Sequence, residues 1–203
     1  MNSPQEMLLL IRDLSGKMEK VMDKKRYQHT LGVAATASCM AMRFQTDPYK
    51  AYLAGLLHDN AKCISNDKKL SVCAKNKLSV NAAEEKNPDL LHAKVGSFLA
   101  KDKYKISDEQ ILSAILWHTT GKPEMTVLEQ IIYIADYIEP LRKPQKNMEI
   151  VRRLAFEDLD RCMLEILSGT IQYLQDKQAA IDEITMKTYQ YYVGLCNKQD
   201  ERK

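Results

Sequence analysis

Leu56-Leu57-His58-Asp59-Asn60-Ala61-Lys62 is the stretch on which the reading of this chain turns. His58 shares a helical face with Ala54, Leu57 and Ala61, so the histidine and its neighbour Asp59 sit on an apolar helix that faces inward. A buried ionised carboxylate is costly without partners, and Asp59 therefore needs cations or hydrogen-bond donors. Adjacent helical residues project about 100° apart. His58 and Asp59 can address one point only where the helix ends or their side chains bend together. An aspartate in that place can also offer one oxygen to each of two metal ions, and a pair of ions roughly 3.5–4 Å apart can clamp a phosphate.

Working outward, the other histidines repeat the pattern. The chain has four: His29, His58, His92 and His118. His29 stacks with Gly32 and Val33, His92 with Val95, Gly96 and Leu99, and His118 with Ile111, Ala114 and Ile115. Asp136 lies in the apolar run Ile131-Ile132-Tyr133-Ile134-Ala135-Asp136-Tyr137-Ile138 and stacks on Ile132. Each of these polar groups points inward, and no histidine points outward to balance them. Together they read as one metal site. Imidazole with carboxylate and no thiolate suits borderline divalent ions such as iron, manganese, nickel, cobalt or zinc, one ion or two.

The rest of the chain frames that site. Its 203 residues suffice for a sizeable core, and the reading is one domain over residues 1–203. Thirty basic and 27 acidic residues give a net charge of +3, which implies no broad nucleic-acid or membrane surface. Five cysteines, an odd number without C-x-x-C spacing, argue against a disulfide framework and a zinc knuckle and suggest reduced thiols in the cytoplasm. Met7-Leu8-Leu9-Leu10-Ile11 is too short to span a bilayer and reads as the buried stripe of a first helix.

Seven glycines and six prolines punctuate the chain, and its apolar residues recur at helical spacing. The fold class is all-α, a helical bundle of about eight to ten helices. Asp47-Pro48 and Asn87-Pro88 read as N-cap and first helical residue. Ser107 to Gln110 and Thr126 to Glu129 fit capping boxes. Gly121 with Pro123 ends the helix of His118, and Pro140 ends that of Asp136. C-terminal helices are expected over 147–197, with a frayed polar tail from Asn197.

The order H…HD…H…H…D resembles the HD-domain metal-dependent phosphohydrolases, an all-helical superfamily, and within it the YqeK family. The segments that carry the resemblance are Arg26–Val33, Ala54–Lys62, Leu91–Gly96, His118–Met125 with its H-T-T-G start, and Tyr133–Arg142 with its A-D-Y-I-E-P-x-R text. They form a motif core over residues 26–142. The resemblance implies an HD-domain bundle and an iron-dependent hydrolase that cuts diadenosine tetraphosphate symmetrically to two ADP.

It further implies that His29, His58, Asp59 and Asp136 hold a first metal. His92 and His118 then complete a second position or meet substrate phosphates, with Asp59 as bridge. Asp59 and Lys62 are the expected catalytic residues. Arg26, Lys62 and Arg142 are the expected phosphate contacts: a guanidinium fork suits bidentate phosphate binding, and lysine supplies a point charge. Thr119, Thr188 and Tyr189 are further candidates for the substrate. The implied partner is a dinucleoside polyphosphate, with no nucleic acid and no membrane, and the chain acts as monomer or homodimer. Two other readings stay open: a different HD-domain nucleotidase or phosphodiesterase, and a non-catalytic nucleotide-sensing module.

Overall fold

The computed structural model describes residues 3–143, 145 and 147–201. Among these residues there are eleven α-helices, one short 3-10 helix and no strand. The helices are α1 (Pro4–Val21), α2 (Lys24–Arg43), α3 (Pro48–Leu57), α4 (Asn66–Lys75), α5 (Ala82–Lys86), α6 (Leu91–Asp102), α7 (Glu109–Trp117), α8 (Val127–Ile138), α9 (Met148–Glu157), α10 (Leu159–Asp176) and α11 (Glu183–Asp200), with the 3-10 turn Pro88–Leu90 before α6. Eleven exceeds the eight to ten expected. The short α5 falls in a stretch with little apolar periodicity, and a capping box between Asn81 and Glu84 starts it.

The punctuation residues act largely as their chemistry dictates. Asp47 caps α3 by accepting from the amides of Tyr49 and Lys50, with Pro48 at the first helical position. Thr126 and Glu129 form the expected capping box of α8. The start of α7 differs by one residue: Asp108, not Ser107, is the cap, and its carboxylate accepts from the amides of Gln110 and Ile111. Gly121 adopts φ +65°, the left-handed conformation that glycine enters without a Cβ penalty, and this turns the chain after His118.

Two expectations are corrected at the ends of the chain. In α1 Met7, Leu10 and Ile11 of the expected stripe pack half-buried against the core beside the fully buried Leu14 and Met18, while Leu8 and Leu9 are exposed. Five consecutive apolar residues cannot share one face of a helix that turns about 100° per residue. At the other end α11 continues to Asp200, with Tyr192 and Cys196 buried, so the frayed tail does not begin at Asn197.

One hydrophobic core runs from Leu14 of α1 to Tyr192 of α11. Within it α2 packs along α3 and α8, α7 packs between α6 and α8, and α10 meets α8, α9 and α11. A smaller cluster of Ala61, Cys73, Leu91 and Val95 seats the turn after α3 against α4 and α6. None of the helices is long and apolar enough to cross a membrane, and all five cysteines are free thiols.

A close helix approach positions the site. A Cβ on Gly55 would lie 2.8 Å from Cα of Ala34 and 3.1 Å from its amide nitrogen, so α2 and α3 touch backbone to backbone. That contact sets the separation of His29 on α2 from His58 at the end of α3. Gly55→Ala is expected to force the two helices apart and to cost about 1–3 kcal/mol of stability. Urea denaturation reads this as a lower midpoint with an unchanged slope. An unchanged midpoint would show that α2 and α3 separate freely.

Candidate metal centre

The helix that carries the His-Asp pair ends where the pair begins. α3 stops at Leu57, and His58 is its C-cap residue. The chain then tightens into successive three-residue turns, with Asn60 N bonded to Leu57 O at 3.1 Å and Lys62 N to Asp59 O at 2.9 Å. Asn60 locks this turn by donating its amide to Leu57 O at 2.8 Å and to Gly96 O at 2.9 Å. His58 and Asp59 are thereby released from the angular separation of an α-helix and converge on one cavity.

Three histidines are oriented by the same device. His58 Nδ1 lies 2.6 Å from Gly55 O, His118 Nδ1 2.7 Å from Ile115 O, and His92 Nδ1 2.5 Å from Asp89 O, in each case the carbonyl three residues earlier. His58 and His118 are C-cap residues, placed where helices leave carbonyls without amide partners. His92 follows a 3-10 turn. A carbonyl only accepts, so Nδ1 carries the proton and Nε2 is left as a bare donor atom.

His29 lies inside α2, where the carbonyls are spent on the helix. Its Nδ1 instead donates to Oε1 of Glu139 at 2.9 Å. Glu139 is buried, its Oε2 accepts from the amide of Leu141 at 2.7 Å, and Gly32 leaves it room: a Cβ there would lie 2.6 Å from that oxygen.

The four Nε2 atoms point at two carboxylates. Asp59 turns Oδ2 toward His58 at 3.4 Å and His29 at 3.9 Å, and Oδ1 toward His92 at 3.4 Å and His118 at 3.7 Å. Asp136 Oδ1 lies 2.9 Å from His29 Nε2 and 3.7 Å from His58 Nε2. Asp59 thus stands between two pairs of histidines with one oxygen for each.

The set fits a divalent metal on its own chemistry. His29 Nε2 and His58 Nε2 are buried and lack a hydrogen-bond partner, a state that costs free energy unless another ligand satisfies them. His29 Nε2 lies 2.9 Å from Asp136 Oδ1 without a hydrogen bond between them. Three overlapping groups have ligand atoms close enough to share an ion: His29, His58 and Asp59; His58, His118 and Asp136; and Asp59, His92 and His118.

Electrostatics favour carboxylates in their ligating form. Burial opposes the charge on Asp59, but His58, His118 and His92 outweigh it and hold the group well below its usual range. Burial likewise opposes Asp136, and His29, His58 and Arg142 overcome it. His92 is pushed down to about 3 by burial and by His118, so it is neutral at physiological pH. His29 is raised: burial works against its charge, but Asp136 and Glu139 prevail.

A cavity of about 320 Å³ opens above these groups. Asp59, Asp136, His92 and His118 line it, as do the expected cations Arg26, Lys62 and Arg142. Thr119 lies on its wall with Oγ1 3.2 Å from Nε2 of both His92 and His118. Arg26 Nη1 donates to Asp59 Oδ2 at 2.7 Å, and Arg142 Nη2 to Asp136 Oδ1 at 2.5 Å. His29 and His58 lie buried beneath the cavity.

Thr188 and Tyr189 are the exceptions. Thr188 is fully buried, donates its hydroxyl to Ile184 O at 2.6 Å and presses its methyl against Gly121, and it does not line the cavity. Tyr189 packs on the main core. Thr185, one turn earlier on α11, instead faces a neighbouring cavity of about 730 Å³ that shares Thr119 and Thr170 with the first. Glu139 and Asp89 escaped the sequence reading. Their only signal was an acidic residue beside a proline at a helix end or start, and their partners come from elsewhere in the chain.

The HD-domain family model matches residues 26–141. This chain belongs to the HD-domain family. The symmetrical bis(5'-nucleosyl)-tetraphosphatase of Bacillus subtilis is 37% identical over 177 residues, which cover 87% of this chain and 94% of the relative. The enzyme of the same name from Halalkalibacterium halodurans is 39% identical over 168 residues, covering 83% and 89%. A crystal structure from Clostridium acetobutylicum, described as a predicted HD superfamily hydrolase involved in NAD metabolism, superposes with a TM-score of 0.87 at 37% identity. It covers 90% of this chain and 96% of its own. The matched residues 26–141 include every histidine and both aspartates described above.

The Glu139 bond to His29 yields a test within this HD-domain site. Glu139→Ala is expected to weaken metal binding by roughly 10- to 100-fold, as loss of a partner behind a ligating histidine does. Glu139→Gln keeps an acceptor for Nδ1–H and should recover most of that loss, whereas His58→Ala, which removes a candidate ligand, should not bind the metal at wild-type strength. Metal titration of the stripped protein, followed by elemental analysis, measures all three. Equal affinity in Glu139→Ala and wild type would make Glu139 a filler of the space left by Gly32.

Proposed function

We propose that this HD-domain protein hydrolyses diadenosine tetraphosphate symmetrically to two ADP, with iron as its preferred divalent metal. One observation carries the reading above all: Asp59 offers separate oxygens to two histidine pairs beneath a cavity walled by three cations. The near-full-length similarity to proteins named symmetrical tetraphosphatases supports the choice of substrate.

His29, His58, Asp59 and Asp136 would hold the first ion, and Asp59 with His92 and His118 a second. When bound, the metal supplies a water of lowered pKa and positive charge for the phosphoryl oxygens. The protein's own residues do the remainder. Arg26, Lys62 and Arg142 bind and orient the tetraphosphate through charge-assisted bonds and stabilise charge that grows on the phosphoryl oxygens. Water oxygen bonds to one central phosphorus, the bridging bond to the other central phosphate breaks, and ADP departs. A departing ADP is a stable anion, so no strong general acid is required. No cysteine is among the residues that line the metal cavity, which leaves direct attack by water rather than a covalent enzyme intermediate. The adjoining cavity of about 730 Å³ beyond Thr119 and Thr170 is large enough for a nucleoside.

Arg142→Ala tests the phosphate contacts. Loss of one charge-assisted bidentate contact costs on the order of 1.5–3 kcal/mol, so catalytic efficiency should fall roughly tenfold or more while metal content holds. Unchanged kinetics would place Arg142 outside the substrate site. The position of the broken bond is read in isotopically labelled water by mass spectrometry. Two ADP, one labelled, is the expected product pair. ATP plus AMP would exclude symmetric cleavage, and no turnover with iron under reducing conditions would favour a nucleotide-sensing module.

A further inference from the structure

Lys69 is a buried ammonium, only 1% exposed, on a helix that contributes no residue to the metal centre. Lysine is rarely buried unless its charge is matched. Lys69 Nζ donates to Asp89 Oδ1 at 3.0 Å and to Asn66 Oδ1 at 3.1 Å. Asp89 Oδ2 in turn accepts from Lys62 Nζ at 2.6 Å, and Lys62 lines the metal cavity. The main-chain carbonyl of the same Asp89 fixes the His92 ring at 2.5 Å. Lys62 Nζ also lies 3.4 Å from His92 Nδ1, but both atoms are donors there, so Lys62 takes its orientation from Asp89 and keeps N–H groups free for the cavity.

A carboxylate beside a phosphate-binding lysine is an electrostatic fault: the pair presents no net charge to an anion. Lys69 corrects it. Two ammoniums and one carboxylate leave a single positive charge, held in fixed geometry. We propose that Asp89 and Lys69 are positioning residues acting as one unit, in which Asp89 holds Lys62 and His92 toward the phosphate cavity and Lys69 cancels the charge of Asp89, so that Lys62 keeps its attraction for a polyphosphate anion. The inference rests on the phosphate-hydrolase reading of that cavity.

The test uses the metal-loaded full chain and its variants Lys69→Met, Asp89→Asn and the double substitution. Elemental analysis checks metal content. Kinetics with diadenosine tetraphosphate and calorimetry with inorganic pyrophosphate read the anion site. Lys69→Met leaves Asp89 free to neutralise Lys62 and should raise KM and the pyrophosphate Kd roughly tenfold. Asp89→Asn should bind pyrophosphate at least as tightly as wild type but lower kcat, because Lys62 is less well aimed.

The double variant restores the net charge, so its KM should return to within a fewfold of wild type. A merely structural role for Lys69 would give no such rescue. Normal KM in Lys69→Met, or a double variant as weak as Lys69→Met, overturns the proposal. Lys69→Arg preserves the charge and should hold KM near wild type; a raised KM there with metal retained counts against it as well. A wild-type protein that neither hydrolyses the tetraphosphate nor binds pyrophosphate would sink the functional reading itself. Wild-type activity with unshifted variants sinks this inference alone.

Discussion

A hydrogen bond from histidine Nδ1–H to a backbone carbonyl three residues earlier recurs at His58, His92 and His118, and the site depends on it. A free imidazole chooses between two tautomers and rotates about two bonds. A ring tied to a helix-terminal carbonyl does neither. Two of the three carbonyls are ones that a helix end would otherwise leave without a partner. One bond thus settles a backbone acceptor, a tautomer and the direction of a ligand atom. His29 sits mid-helix, has no spare carbonyl beside it, and takes a carboxylate from beyond α8 instead.

Burying two carboxylates among four imidazoles is expensive, and the architecture shows how the cost is offset. Arg26 from the start of α2 and Arg142 from beyond α8 donate to Asp59 and Asp136. Further out, Glu139 balances His29, while Asp89 sits between Lys62 and Lys69. Charge alternates from the centre outward, cation against anion at each step. Such a network is stable when every member is satisfied. The two atoms left unmatched at its centre, Nε2 of His29 and of His58, fit a divalent cation.

Small residues give this arrangement its dimensions. Gly55 lets α2 and α3 meet backbone to backbone, and Gly32 leaves the volume that Glu139 fills. Gly121, with its positive φ, turns the chain after His118 and lies against Thr188 of α11. Each glycine is thus placed where a Cβ would collide with a neighbour across a packed contact.

Much of this was legible in the sequence. Helical periodicity gave the fold class, capping residues gave the starts of α3 and α8, and inward histidines and aspartates gave the cluster that the fold brings together, because all three follow from contacts within a few residues. The His-Asp doublet even carried its own geometric condition, a helix ending at that point, and α3 ends there. What depended on distant partners was not legible. Leu8 and Leu9 lie on the face of α1 turned away from the core, and Thr188 is sealed because Gly121 arrives from far away in the chain. Glu139 and Asp89 look like ordinary acidic residues until His29 and Lys69 are brought against them. The sequence by itself determined which side chains carry chemistry; only the tertiary structure decided which of them meet, because long-range contacts assign each buried charge its partner.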